Sequence, residues 1–254
     1  MIRINASEKD EVLTALREEG LKNLLLEMWL EDFPLDKYAQ LYRIGEKGYV
    51  LNVPTIATIF SYPDEYTLPD DEKLKIMAYA SPIIMGPEKI VHLVRSLFPD
   101  REIKDSVMMG MVLHEYREIP ANAIELTTDK HFRDLYELYM SVPEFKATFS
   151  DYSKEGFREE YMEARLSGWI TTGVYEDDKL VSAATFRFYE IENVCTAPGY
   201  RNRGYAKEAL QKLLSLIPDT KDGKRLILFT GNPQAEHLYS TLGFQNLGGF
   251  SKTN

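Results

Sequence analysis

The sequence predicts an α/β (α+β) protein, and three observations carry that class. Along all 254 residues, stretches with apolar residues at helical spacing alternate with short apolar blocks of strand length. Residues 39–61 read as a strand meander, with Leu41, Tyr42 and Ile44 before a Gly45-Glu46-Lys47-Gly48 turn and Tyr49–Val53 and Thr55–Phe60 after it. Val194 through Ala206 is an apolar strand that runs through a turn into an amphipathic helix.

Taken in order, residues 8–31 predict two helices separated at Gly20, the first on Val12, Leu13 and Leu16, the second on Leu21, Leu24, Leu25 and Met28. The meander follows. Leu74–Tyr79 predicts a short helix and Pro82–Met85 a short strand. Gly86-Pro87 is expected to open a helix on Ile90, Val91, Val94, Leu97 and Phe98, because proline at the first helical position loses no hydrogen bond. Val107–Tyr116 predicts a strand. Periodicity then lapses at Ile119-Pro120-Ala121-Asn122, which places a domain boundary at about residue 122, giving 1–122 and 123–254. Beyond it come helices on Phe132, Leu135, Tyr136 and Tyr139 and on Phe157, Tyr161 and Ala164, then strands Trp169–Tyr175 and Leu180–Phe188 turning at Asp177-Asp178. The helix from Gly204 shows Ala206, Leu210, Leu213, Leu214 and Ile217 on one face. After a strand at Arg225–Phe229, a last helix opens with cap and proline at Asn232-Pro233 and stops at Gly243.

Composition narrows the function. With 44% hydrophobic residues the chain can bury a core without staples, and its single cysteine, Cys195, excludes an internal disulfide and a cysteine-based zinc cluster. The four histidines, at 92, 114, 131 and 237, have no spacing that suggests a metal site, so no metal is expected. A net charge of -10 argues against nucleic acid as partner and favours a cationic or amine-bearing one. No stretch reaches the roughly 20 apolar residues of a membrane span, and no secretory hydrophobic core follows Met1, so a cytoplasmic protein without membrane contact is expected.

The turn at 200–206 has the chemistry of an anion site. It carries Arg201, Asn202 and Arg203 and then Gly204, where a helix begins whose first amides lack intrahelical acceptors and whose dipole adds positive charge. Glycine there lets backbone approach a phosphate closely, and the flanking Arg and Lys side chains add charge.

The stretch from Asn193 to Pro198, leading into Arg201-Asn202-Arg203-Gly204-Tyr205-Ala206, resembles the GNAT family of N-acetyltransferases when taken with Asn232 to Tyr239 and Gly243-Phe244. The resemblance is specific over about residues 125–250. Over the first half it is architectural only, which reads as a degenerate tandem copy; an unrelated α/β cap is the alternative. It implies the acyl-CoA N-acyltransferase fold, a mixed, mostly antiparallel sheet flanked by helices. It also implies acetyl-CoA as acyl donor, with Arg201, Asn202, Arg203, Gly204, Tyr205, Ala206 and Lys207 around the pyrophosphate and the main chain of Val194 and Thr196 along the pantetheine arm. Asn232 stands where relatives place an amide against that arm, although Asn before Pro is also a helix cap. Tyr239 stands where relatives put the acid that protonates the departing thiolate. For a general base, Glu190 and Glu192 alternate in register with Val194 on one strand face. Glu190 occupies about the place of the family's strand glutamate, while the preceding hairpin is compressed to Phe188-Tyr189 and can leave Glu190 in a turn. Cys195, of opposite parity, reads as core.

The activity implied is transfer of an acetyl group to a primary amine by direct attack in a ternary complex. Alternatives are a non-catalytic acyl-CoA-binding module, a longer acyl donor, or an amino-acid acceptor such as glycine. Monomer and homodimer both remain open.

Overall fold

The computed structural model describes residues 1–62, 72–96, 100–114, 116, 120–218 and 223–253. Leu97 and Phe98, expected on a helix, and Ile119, expected at the boundary, lie outside them. In chain order the elements are β1 (Ile2–Ile4), α1 (Lys9–Glu18), α2 (Leu24–Asp32), β2 (Gln40–Ile44), β3 (Gly48–Val53), β4 (Ala57–Phe60), α3 (Glu72–Ala80), β5 (Ile83–Pro87), α4 (Glu88–Arg95) and β6 (Ile103–Leu113). They continue with β7 (Ala123–Glu125), α5 (Asp129–Ser141), α6 (Pro143–Phe149), α7 (Lys154–Leu166), β8 (Ile170–Glu176), β9 (Lys179–Arg187), β10 (Glu190–Thr196), α8 (Tyr205–Leu216), β11 (Lys224–Thr230), α9 (Pro233–Thr241) and β12 (Gln245–Thr253). The chain packs as two compact units: Met1–Met111 together with Phe229–Asn254, and Val112–Leu228.

In the first unit the strand order is β1-β2-β3-β4-β5-β12-β6. Every pairing is antiparallel except β4 with β5. Tyr42, Ile44, Val50 and Phe60 from the strands meet Leu74, Met77, Ile90 and Val94 from α3 and α4 in one core. The helices form where apolar residues recur at i and i+3 or i+4, and Gly20 at φ 84 makes the break between α1 and α2.

Gly86 belongs to β5, paired with Ser251, and Pro87 is the last strand residue and the N-cap of α4. The helix expected from Gly86-Pro87 therefore begins at Glu88, because both residues are held in the ladder with β12. A Cβ on Gly86, at φ 151, would stand 2.9 Å from Phe60 Cβ and 3.0 Å from its carbonyl oxygen. Gly86→Ala combines that overlap with a backbone penalty and should destabilise the protein by about 2–4 kcal/mol, seen as a lower urea midpoint. An unchanged midpoint would refute the close approach.

In the second unit the order is β11-β10-β9-β8-β7, antiparallel throughout except β10 with β11. Three helices, α5 to α7, pack an aromatic core of Phe132, Tyr139, Phe149, Phe157 and Tyr161 with Leu180, Ala183 and Cys195 of the sheet. Thr128 caps α5 by accepting from His131 N–H at 3.3 Å, and Ser153 caps α7 by accepting from Gly156 N–H at 3.0 Å.

The same order of elements occurs twice along the chain. A strand and helices lead into a three-stranded antiparallel meander, then a helix, and then a strand parallel to the meander's last: β2-β3-β4-α3-β5 and again β8-β9-β10-α8-β11. The strand expected at 107–116 begins at Ile103, since its exposed Lys104 and Asp105 still pair with Lys252 and Ser251 of β12.

Candidate functional site

Within the second unit, β10 delivers the turn and α8 leaves it. Asn202 takes φ 62 and Gly204 takes φ 87, so the chain doubles back into the helix with glycine as its N-cap. The first intrahelical bond is Glu208 N–H to the Gly204 carbonyl at 3.1 Å, and a glycine cap has no side chain to accept from the amides of Tyr205, Ala206 and Lys207 that precede it. A Cβ at 204 would meet no atom within 4 Å beyond its chain neighbours, so the space beside the cap itself is open. An anion fits this place, with dipole and amides acting together.

The charged side chains of the turn are partly engaged. Arg201 donates through Nε to the Thr196 carbonyl at 3.2 Å and pairs with Glu144 at 3.2 Å, while Arg203 pairs with Glu176 at 3.4 Å. Tyr205 donates its hydroxyl to the other Glu176 oxygen at 2.7 Å. Arg201, Asn202, Arg203, Gly204 and Lys207 are exposed, Tyr205 and Ala206 half-buried.

On β10 the expected alternation fails. Glu192 faces Thr185 and Cys195 faces Ala183, so β10 takes three steps against two of β9, a bulge at Asn193 and Val194 with Asn193 at φ 54. Val194 therefore leaves the face shared by Glu190 and Glu192. Glu190 opens the strand opposite Arg187, directly after the Phe188-Tyr189 turn. Thr196 shares its hydroxyl with Ser182 at 2.9 Å. Cys195 lies in the core, where burial pushes its thiol up to about 12.

Glu192 sits in the more distinctive surroundings. Its side chain is 20% exposed, and burial raises its carboxyl above the usual range, opposed by Arg187 with its guanidinium 3.6 Å away. Arg187 also lies over the Trp169 ring at 5.1 Å, and Trp169 meets Tyr161 edge-on at 6.0 Å. Asn193 donates to the Tyr161 hydroxyl at 3.4 Å; burial pushes both this phenol and the Tyr139 phenol upward, keeping them protonated. Beside this group opens a cleft of about 460 Å³ whose lining includes Glu125, Arg165, Trp169, Phe186, Phe188 and Lys224. In the sequence Tyr161 reads only as a helix-face residue and Trp169 only as the start of a strand, and nothing local marks Arg187.

Asn232 and Tyr239 belong to the first unit. Asn232 is the N-cap of α9, accepting from Gln234 N–H at 2.9 Å, and Tyr239 is 6% exposed with Phe244 edge-on at 6.0 Å.

The model of the acetyltransferase (GNAT) family matches residues 123–244. Residues 123–244 form a GNAT-family domain. No curated protein matches the chain in sequence. Solved structures share the fold at low identity over nearly the whole chain. A Drosophila protein is 16% identical, over 99% of this chain and 96% of that one, with TM-score 0.59. A GCN5-related N-acetyltransferase-like protein from Streptococcus suis is 14% identical, over 98% of each, with TM-score 0.55. A tandem GNAT protein from the clavulanic acid biosynthesis pathway is 11% identical, over 100% and 97%, with TM-score 0.51. The GNAT domain thus has the acyl-CoA N-acyltransferase fold: a mixed, mostly antiparallel sheet flanked by helices, the framework of an acyl-transferring family. Among the described residues no helix is long and apolar enough to cross a membrane.

Proposed function

We propose that the GNAT domain transfers an acetyl group from acetyl-CoA to a primary amine of a small molecule or peptide, by direct attack in a ternary complex. The observation that carries this reading is the Gly204-capped start of α8, where the cap residue is exposed, offers no side chain to the first-turn amides and is flanked by Arg201 and Arg203. The ion pairs holding those arginines lie at the surface, where solvent screens them, so a pyrophosphate can recruit both guanidinium groups at little cost. β10 keeps its ladder with β9 on either side of the bulge, but among the described residues it pairs with β11 only at Glu190 opposite Ile227, and the rest of that main-chain edge is what the proposal gives to a pantetheine arm. Thr196 is the less available of the two arm residues, since its carbonyl already accepts from Arg201.

Glu192 is the base in this proposal, with Glu190 as the alternative. As the amine nitrogen bonds to the thioester carbonyl carbon and the C–S bond breaks, the carboxylate takes the ammonium proton and the thiolate takes one from an acid. Tyr239 is assigned that acid role, and Asn232 the coenzyme arm, on the family pattern. The cleft beside Trp169 is the proposed acceptor site. Its rim mixes Arg165 and Lys224 with Glu125, so a cationic acceptor is favoured only by the overall charge. The recurrence of one element order supports two GNAT-like halves divided near residue 122, the first degenerate: the sequence joining β4 to α3 carries Asp64, Glu65, Asp70 and Asp71 in place of a basic glycine turn. We place the protein in the cytoplasm.

An amine panel offered with acetyl-CoA and read by product mass tests the activity. Acetylated product supports it; tight CoA binding with no product on cationic, neutral or amino-acid amines would assign a binding module instead. Tyr239→Phe should lower kcat about tenfold or more with KM for acetyl-CoA little changed. Unchanged turnover would remove Tyr239 from the chemistry.

A further inference from the structure

The four histidines have no sequence spacing that suggests a metal site, yet the fold of the first unit assembles one around His92. Glu88 and His92 are four residues apart on α4 and so share one helix face. Asp105, on β6, comes to the same place. One ligating atom from each of the three lies within 4.8 Å of the others.

Two features fix the carboxylates. Asp105 Oδ1 accepts from Ser251 Oγ at 2.5 Å and is 2.8 Å from His92 Nε2. Glu88 lies across β12 at Gly249, where a Cβ would stand 2.1 Å from Glu88 Oε2, so the carboxylate occupies space that only glycine leaves empty. The Gly249 backbone is held in turn by the Tyr62 hydroxyl, which donates to its carbonyl at 2.6 Å.

We propose that Glu88, His92 and Asp105 form a binding site for a divalent transition-metal ion of the zinc class, separate from the acyl-transfer chemistry. One imidazole nitrogen with two carboxylate oxygens suits zinc, whereas calcium and magnesium favour oxygen alone. Bonds of about 2.0–2.2 Å place the donors of a tetrahedral ion roughly 3.3 Å apart, so an ion replaces the 2.8 Å contact of His92 with Asp105, spreading those two donors slightly while side-chain rotation adjusts the rest of the set. His92 and Asp105 are both about half exposed, which gives an ion a path in and leaves room for water at the fourth position. The bound ion would tie α4 to β6 within the unit.

Titration calorimetry of the chelator-treated full chain with zinc chloride decides this. The expected result is one ion per chain at micromolar affinity, unaffected by excess magnesium and weakened at least about tenfold by His92→Ala and by Asp105→Asn. Asp105→Asn retains an oxygen for Ser251, and matching melting curves without metal would show that both variants fold. His237→Ala, a change at an exposed histidine outside the cluster, should leave affinity unaltered. Cobalt(II) should give the visible bands of four-coordinate metal in the wild type and lose them in His92→Ala. Affinity no tighter than millimolar, or affinity equal in wild type and His92→Ala, overturns the proposal.

Discussion

Replacing Gly204 with valine should weaken coenzyme A binding about ten- to hundredfold while costing the fold only about 1–2 kcal/mol. The two effects have separate origins. At φ 87 a β-branched residue strains the backbone, which sets the stability cost. The added side chain enters the open space beside the helix cap, where a Cβ has no neighbour within 4 Å beyond the adjoining chain, so no packed atom is displaced. What it displaces is the anion. Losing one charge-assisted hydrogen bond costs about 1.5–3 kcal/mol, and every 1.4 kcal/mol is tenfold in affinity. Calorimetry with CoA and a melting curve on the same sample separate binding from folding. Full affinity in Gly204→Val would remove the phosphate from this turn, and with it the main support for acyl-CoA as donor.

Glu192→Gln should cut kcat/KM about a hundredfold, and Glu190→Gln much less. The pH dependence carries the sharper test. A base works as the carboxylate, so wild-type activity should fall as pH drops through a midpoint above the ordinary carboxylate value of about 4.3, because burial raises this group. Arg187 is the charge that opposes the rise, so Arg187→Ala should move the acid limb to still higher pH. For the fold the sign is opposite: a raised carboxyl pKa means the folded chain holds that proton more tightly than the unfolded one, so Glu192 favours folding more as pH falls through the same value. If Glu190→Gln abolishes the limb and Glu192→Gln leaves it, the roles of the two glutamates are exchanged.

The features legible in the sequence are those written in local turn chemistry. Asn232-Pro233 caps α9 and Gly204 caps α8 because those residue types meet a backbone need within two or three positions. Strands β1, β7 and β12 went unread for an equally local reason. The first two are three residues long, and β12 carries Gly248 and Gly249 where an alternating pattern would stand. The bulge on β10 was hidden too. Asn193 tolerates a positive φ, but only pairing with β9 requires one, so parity counted along the strand carried Val194 to the wrong face. The setting of Glu192 depends on residues distant in sequence, Tyr161 from α7 and Trp169 before β8, and no window around 192 contains them. The Glu88, His92 and Asp105 cluster combines both cases, an i, i+4 pair on a helix completed by a strand.

The place of β12 between β5 and β6 has a consequence for the order of events during synthesis. The first unit cannot close its sheet until residues 245–253 have left the ribosome, although β1 to β6 have long since emerged. Residues 112–228 are complete sooner, so the unit made first is finished last, and until then its β5 and β6 backbones wait with unpaired edges that a chaperone, or another nascent chain, can reach.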